Sequence, residues 1–389
     1  MTRAPGAGLL LVPHRTARFT LEHLVALRSL NGGANGHGPP LSKLSLSLAG
    51  WVAFDEAVLG LMKSPRMYPK ETDYEPVVEE LRAATAFYDA QGWLTDPVGY
   101  HLAPPPLGEP VVREARARGV AFERLTWRSG YMPRENEPGA ERWASYTRNQ
   151  TAHAWVLRGH PGAPWLVCLH GFGMGVPMMD LFAFRAQHLC EELGVNLVMP
   201  VLPLHGARRA SAWGGVDLMS FQIQNFVLGM AQAMWDVRRV LSWVRAQGAS
   251  KVGVYGMSLG AYAASLLATL EPDLDLVIAG APVSNIPKLF ALHAPPKIRV
   301  RALDLGLLTT LPECAMKVVS PLARAPVVPR DNLAIFAGTV DRMAGPDQAH
   351  TLWKHWGEPT IDWYHGGHMT FLWSVQVARF VEDRLRALA

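Results

Sequence analysis

The sequence predicts an α/β protein with a mostly parallel central sheet. From about residue 116 onwards, short apolar runs alternate with longer segments of helical periodicity. The apolar runs are nearly continuous, as in strands that are covered on both faces of a parallel sheet. The composition, 49% hydrophobic and 18% charged, is that of a globular protein and argues against a disordered or disulfide-rich class.

The first part of the chain has a different texture, with no convincing buried strand. Helical patterns occur around residues 19–30, 41–64 and 74–91, and turn-rich segments separate them. We therefore expect a helical N-terminal extension over residues 1–115 that packs on a main domain at 116–389.

The main domain opens with two predicted strands, VAFERLTWRSGYMP and TAHAWVLRG, joined by a polar turn. Six more apolar runs predict the rest of the sheet, namely PWLVCLH, VNLVMPVLP, KVGVYG, LDLVIAGAPV, NLAIFAGTVD and PTIDWYHGG. The segments between them predict helices, including MMDLFAFRAQHLCEELG and a long amphipathic helix before KVGVYG. About 45 residues lie between LDLVIAGAPV and NLAIF, too many for a simple connection, so an insertion is expected over about 284–328.

Charge gives no sign of a nucleic-acid partner. The formal net charge is +4, and the densest basic patches, at 112–119 and 297–301, have no interleaved aromatic residues. Such patches are typical of solvated faces, so we expect no nucleic-acid binding.

The cysteine content and the apolar runs of the sequence predict the cellular compartment of the protein. The three cysteines have no CxxC spacing, which predicts reduced thiols and neither a disulfide framework nor a zinc site. The apolar run before Pro13 is short for a secretory signal, and no apolar stretch reaches the roughly 20 residues that cross a bilayer. A cytoplasmic location is therefore expected.

The segment Gly256-Met257-Ser258-Leu259-Gly260 joins the predicted strand KVGVYG to a predicted helix. The pattern G-x-S-x-G is typical of a serine held on a sharp strand-to-helix turn, with its hydroxyl above the carboxyl edge of the sheet. Gly256 and Gly260 are expected because a Cβ at either position would clash with the neighbouring strand or helix. A glycine-rich turn without chemistry is the alternative.

With this motif in this context, the sequence resembles the α/β-hydrolase superfamily, and within it the serine esterases and lipases. The resemblance covers about 116–389 and implies a catalytic triad in the chain order serine, acid, histidine. Asp341, directly after an apolar run, fits the acid, although it could also cap the following helix; Asp347 is the alternative acid. His368, after a glycine on the loop that enters the last helix, fits the base, with His365 as the alternative.

The resemblance also implies an oxyanion hole made of two backbone N–H groups. One belongs to Leu259, after the nucleophile, and the other to Phe172 in the loop HGFGMG. Gly171 and Gly173 allow the backbone of that loop to approach closely, and His170 is expected to brace the loop and not to act as the base. The glycine spacing is not G-x-G-x-x-G, which argues against a dinucleotide site.

Together these parts predict a serine hydrolase that cleaves a carboxylic ester through an acyl-enzyme and needs no metal or organic cofactor. The resemblance suggests that the insertion over about 284–328 is a cap, whose apolar content suits an apolar acyl group. Helices packed on a small core of their own are an equal alternative. A serine peptidase of the prolyl-oligopeptidase-like branch and a non-catalytic hydrolase fold used for binding are the other functional hypotheses.

The expected partner is a small-molecule ester or lipid-like substrate. Arg208 and Arg209 are placed to meet an anionic group of a substrate, but a solvated loop is favoured at that position. For the extension, screening of the pocket, dimerisation and contact with a membrane surface all stay open.

Overall fold

The computed structural model describes residues 9–31, 38–62 and 67–388. In these residues one sheet is formed by β1 (Val111–Ala117), β2 (Val120–Arg128), β3 (Thr151–Leu157), β4 (Trp165–Leu169), β5 (Asn196–Pro200), β6 (Val252–Met257), β7 (Leu276–Gly280), β8 (Leu333–Gly338) and β9 (Thr360–Tyr364). The strand order is β1-β2-β3-β5-β4-β6-β7-β8-β9. The pairs along β1, β2, β3 and β5 are antiparallel, and the pairs from β5 through β4 to β9 are parallel. The predicted, mostly parallel sheet is confirmed.

The helices before the sheet are α1 (Val12–Asn31), α2 (Leu46–Met62) and α3 (Tyr74–Ala90). Those among the strands up to β7 are α4 (Ala140–Ser145), α5 (Pro177–Ala183), α6 (Ala186–Glu191), α7 (Gln224–Ala246) and α8 (Leu259–Leu267). The insertion contains α9 (Ile286–His293), α10 (Pro296–Asp304) and α11 (Thr310–Met316), and α12 (Pro346–His355) and α13 (Val375–Arg386) follow. None of the described helices is both long enough and apolar enough to span a membrane.

Strand β4 shows how the sheet separates two cores. Val167 and Leu169 belong to a large core with residues of α7 and α8, whereas Leu166 and Cys168 belong to a second core with residues of α6 and α13. Successive strand residues point to opposite faces, so both faces of the sheet are covered. Burial on both faces explains the nearly continuous apolar runs in the sequence.

Three elements differ from the sequence prediction, the first being α4, which lies within the segment predicted as a polar turn. Strand β1 lies across the boundary predicted between residues 115 and 116. Its basic residues are exposed, as expected for a solvated face, and they lie on an edge strand of the sheet. The helix predicted over MMDLFAFRAQHLCEELG is divided into α5 and α6 at Arg185, whose φ is +49°. This left-handed backbone conformation cannot continue a right-handed helix. All three cysteines are free thiols.

The N-terminal helices dock on the rest of the protein at two places. Tyr74, Leu81 and Tyr88 of α3 are buried in the large core. Helix α2 instead packs near the carboxyl ends of the strands, where Leu48 and Val52 surround Val340 in the loop after β8. The extension therefore reaches the edge of the sheet at which the predicted site residues lie.

Candidate active site

Ser258 occupies the turn between β6 and α8 with φ 55° and ψ −113°, a backbone conformation that non-glycine residues rarely adopt. Its flanking glycines make the turn possible. A Cβ on Gly256 would lie 2.1 Å from the carbonyl oxygen of Gly260, and a Cβ on Gly260 would lie 1.9 Å from the carbonyl oxygen of Leu169. The prediction that neither position tolerates a side chain is confirmed.

Ser258, His368 and Asp341 form one hydrogen-bonded row. Nε2 of His368 lies 3.0 Å from Oγ of Ser258, and Nδ1 of the same ring lies 2.6 Å from Oδ2 of Asp341. The other carboxylate oxygen, Oδ1, accepts hydrogen bonds of 2.8 Å from the amides of Met343 and Ala344. The structure thus brings together the three residues that the sequence places 110 and 27 positions apart.

The opposite charges of His368 and Asp341 shift the pKa values of both groups. Burial lowers the pKa of His368, but the charge of Asp341, its hydrogen bond and the charge of Asp55 outweigh burial and raise that pKa above its ordinary value. Burial likewise opposes ionisation of Asp341, yet the charge of His368 and the hydrogen bonds that the carboxylate accepts lower its pKa. Each partner stabilises the charged form of the other, so an imidazolium is favourable at this position.

The alternative acid and base lie outside the row. Asp347 is in the first turn of α12. Nδ1 of His365 lies 2.7 Å from Oγ of Ser42, which in turn lies 2.5 Å from the hydroxyl of Thr339. His365 therefore belongs to a contact between the extension and the sheet.

The loop after β4 runs beside the serine, since a Cβ on Gly171 would lie 3.6 Å from the Cβ of Ser258. Nδ1–H of the buried His170 donates to the carbonyl of Gly171 at 2.8 Å, and Nε2 accepts from the amide of Leu202 at 3.0 Å. Burial lowers the pKa of His170 to about 4, so the ring is neutral. Because both ring nitrogens form hydrogen bonds within the protein, His170 links the loop after β4 to the chain after β5.

The two predicted oxyanion donors and Ser258 line one cleft in the protein. Both Phe172 and Leu259 line it, and within the described part of the chain neither backbone amide donates to an acceptor. Leu259 is the first residue of α8, where unpaired amides and the helix dipole favour negative charge. Gly173 has φ +78°, which explains a glycine there.

The cleft has a volume of about 170 Å³, and Ser258 and His368 are among the residues that line it. Its walls come from the N-terminal extension, the loop before α7 and the insertion. Among the described residues its lining is mainly apolar and includes no Asp, Glu, Lys or Arg. The insertion does contribute to the cleft, through residues such as Leu289, Phe290 and Ala294.

Arg208 and Arg209 do not line the cleft. Arg208 is completely buried, lies 2.8 Å from Oδ2 of Asp236 in α7, and donates to the carbonyls of Asn149 and Val201. The expectation of a solvated loop is wrong for Arg208, because these acceptors replace water around the guanidinium.

Asp55 is a site residue that the sequence analysis did not predict. It is buried, and its Oδ2 accepts a hydrogen bond of 2.6 Å from the backbone amide of His368. The available signal was a pair of adjacent acids, Asp55 and Glu56, in the helix segment LSLAGWVAFDEAVLGLM, which has no other charged residue. Acids on a helix that is otherwise apolar must find buried partners.

Comparison with solved structures identifies the fold. The chain is similar to acetyl xylan esterase 1 from Thermoanaerobacterium sp. JW/SL YS485, with a TM-score of 0.51, 13% identity, and coverage of 77% of this chain and 93% of that chain. The expected α/β-hydrolase fold is thereby confirmed, and helices α1 to α3 form the expected helical N-terminal extension.

Sequence comparison places the chain more narrowly. No protein-family model matches it. Two uncharacterized proteins of Mycobacterium tuberculosis, from strains H37Rv and CDC 1551, are each 41% identical to it over 349 residues, which span 89% of this chain and 84% of each relative. The chain belongs to the family of these mycobacterial proteins.

Proposed function

We propose that this protein is a serine hydrolase that cleaves carboxylic esters with an apolar acyl group. One observation carries the proposal: the hydrogen-bonded row of Ser258, His368 and Asp341 opens on a cleft lined mainly by apolar side chains. The row supplies a nucleophile, a base and an acid that orients the base, and the cleft supplies the binding energy.

In the proposed reaction, Oγ of Ser258 attacks the ester carbonyl carbon while its proton passes to Nε2 of His368. Asp341 keeps Nδ1–H of the ring in place and stabilises the imidazolium. The amides of Leu259 and Phe172 are the proposed donors to the oxyanion. Collapse of the tetrahedral intermediate expels the alcohol, which takes the proton from His368 and leaves an acyl-enzyme. Water then attacks by the same route and releases the carboxylic acid, so the mechanism needs no cofactor.

The cleft lining supports the choice of substrate. Burying one methylene group in an apolar site contributes about 0.8 kcal/mol, so acyl chains that fill the cleft gain affinity with length. A peptide would instead bring amide groups that lose their hydrogen bonds to water. The polar lining residues among those described are few, Tyr68, Ser220 and His293 besides the catalytic pair, and this favours an ester over a peptide.

A fluorophosphonate probe together with a series of p-nitrophenyl esters of increasing acyl length tests the proposal. We expect the wild-type protein to be labelled and to hydrolyse the esters with kcat/KM rising with chain length, and the Ser258→Ala variant to do neither. Ser220→Ala is the matched control, because Ser220 lines the same cleft but donates its hydroxyl to the carbonyl of Asp217 at 3.0 Å.

Faster cleavage of aminoacyl anilides than of any ester would instead favour the peptidase alternative. A folded wild-type protein without labelling or turnover would favour the non-catalytic alternative.

A further inference from the structure

Helix α2 of the N-terminal extension brings a carboxylate to the catalytic loops. Oδ2 of Asp55 accepts hydrogen bonds from the amides of His368 at 2.6 Å and Arg342 at 3.0 Å, and Oδ1 accepts one from the amide of Met369 at 3.2 Å. Arg342 directly follows Asp341. One buried side chain therefore links the loop that carries the acid to the loop that carries the base.

The fit around this carboxylate is tight. A Cβ on Gly367 would lie 2.5 Å from Oδ2 of Asp55, so only glycine at this position lets the loop approach so closely. The neighbouring Glu56, also buried, forms ion pairs with Arg342 at 3.1 Å and Arg15 at 3.2 Å. These pairs anchor α2 beside the loop after β8.

We propose that Asp55 is a positioning residue for His368, and that the active site is complete only when the N-terminal extension is docked. The inference rests on the proposed function. The amide of His368 is fixed by Asp55 and its ring by Asp341, so the imidazole is held at both ends. A displacement of about 1 Å in such a group can cost on the order of 100-fold in rate.

The charge of Asp55 acts on the same histidine. It contributes to the raised pKa of His368. Burial and the charge of Asp341 raise the pKa of Asp55 itself to about 6, against the opposing effects of His368 and the two amides that donate to Oδ2. Burial raises the pKa of Tyr364, and the charge of Asp55 also raises it. When Asp55 is ionised, its charge favours the protonated imidazole.

The test compares Asp55→Ala and Asp55→Asn with wild type, and uses Glu56→Gln as the control for loss of a buried carboxylate in α2. We expect Asp55→Ala to lower kcat for a p-nitrophenyl ester by roughly 10- to 100-fold with KM changed by less than about twofold. Both Asp55 variants should move the acidic limb of the kcat/KM profile to lower pH, because they remove a charge that raises the pKa of His368. Glu56→Gln removes ion pairs that anchor α2 and should lower kcat somewhat, but it should leave that limb in place, because the charges that raise the pKa of His368 are those of Asp341 and Asp55.

Asp55→Asn is nearly isosteric and retains one acceptor oxygen, so it keeps the test open should Asp55→Ala fail to fold. Hydrogen exchange of the amides at 367–369 provides a second readout that needs no activity, and it should accelerate in the Asp55 variants. Wild-type values of kcat and of the acidic limb in Asp55→Asn would overturn the inference.

A wild-type protein that neither labels nor hydrolyses would overturn the proposed function, and hydrogen exchange would then decide the positioning role. Unchanged exchange at 367–369 would overturn that role separately.

Discussion

Nδ1 of His368 lies 2.6 Å from Oδ2 of Asp341, and both side chains are almost completely buried. Because this contact raises the pKa of His368, the imidazole that we propose as the base is protonated at a higher pH than a free imidazole. A protonated ring cannot accept the proton of Ser258. We therefore expect kcat/KM to fall as the pH falls through the raised pKa of His368.

The Asp341→Asn variant tests the origin of that limb. Removing the charge abolishes the main influence that raises the pKa of His368, so the acidic limb should move to lower pH. The amide also favours the wrong tautomer of the ring, and a loss of kcat on the order of 10⁴-fold is expected from related triads. pH–rate profiles of the two proteins provide the measurement, and coincident limbs would contradict the prediction.

The insertion provides a test of the cleft as the acyl site. Ala294 lines the cleft and is half-buried, so Ala294→Trp should fill part of it. We expect kcat/KM for long acyl esters to fall by about fourfold for each methylene excluded, whereas the acetyl ester is unaffected. Leu292→Trp is the control, because Leu292 is 48% exposed. The same loss in both variants would show that the effect is not a filling of the cleft.

The buried pair of Arg208 and Asp236 predicts a non-additive effect on stability. In Arg208→Met the carboxylate of Asp236 keeps a hydrogen bond of 2.6 Å from Ser129 but loses its ion pair with Arg208, at a cost of about 3–5 kcal/mol in the free energy of unfolding. Adding Asp236→Leu should restore much of the loss, because the carboxylate left without its ion pair is then removed as well. Urea denaturation of both single variants and the double variant measures the coupling. Additive losses would contradict it.

The core of the site could be predicted because its signals are local. The two glycines around Ser258, the apolar run before Asp341 and the glycine before His368 each mark a strand end or a tight turn. Their chain order then follows from the resemblance to α/β hydrolases. The alternation of strands and helices was equally visible, because burial on both faces of the sheet produces continuous apolar runs.

Other features depend on partners that the sequence does not reveal. Strand β1, VVREARA, is an edge strand exposed along most of its length, and without a buried face it has no apolar alternation to detect. The role of Asp55 depends on an amide 313 positions away. Arg208 is read as solvent-facing from its charge alone, since only the folded structure supplies the carbonyl and carboxylate acceptors that allow its burial.

Gly260 at the turn of Ser258 and Gly50 on α2 predict opposite outcomes for the same substitution to alanine. In Gly260→Ala the new Cβ would lie 1.9 Å from the carbonyl oxygen of Leu169 and 2.6 Å from that of His170, so α8 must move away from the loop after β4. We expect a loss of about 3 kcal/mol or more in the free energy of unfolding, together with loss of fluorophosphonate labelling. In Gly50→Ala, on the exposed face of α2, nothing lies within 4 Å of the new Cβ.

The second substitution should therefore raise the free energy of unfolding by about 0.5–1 kcal/mol, because alanine loses less backbone entropy than glycine in a helix. Urea denaturation of both variants, with labelling of each under native conditions, separates the two effects. A Gly260→Ala variant that is as stable as wild type and is labelled at the same rate would contradict the predicted clash. Gly50→Ala is the control for this comparison, because it adds the same methyl group at a position where nothing lies within 4 Å of it.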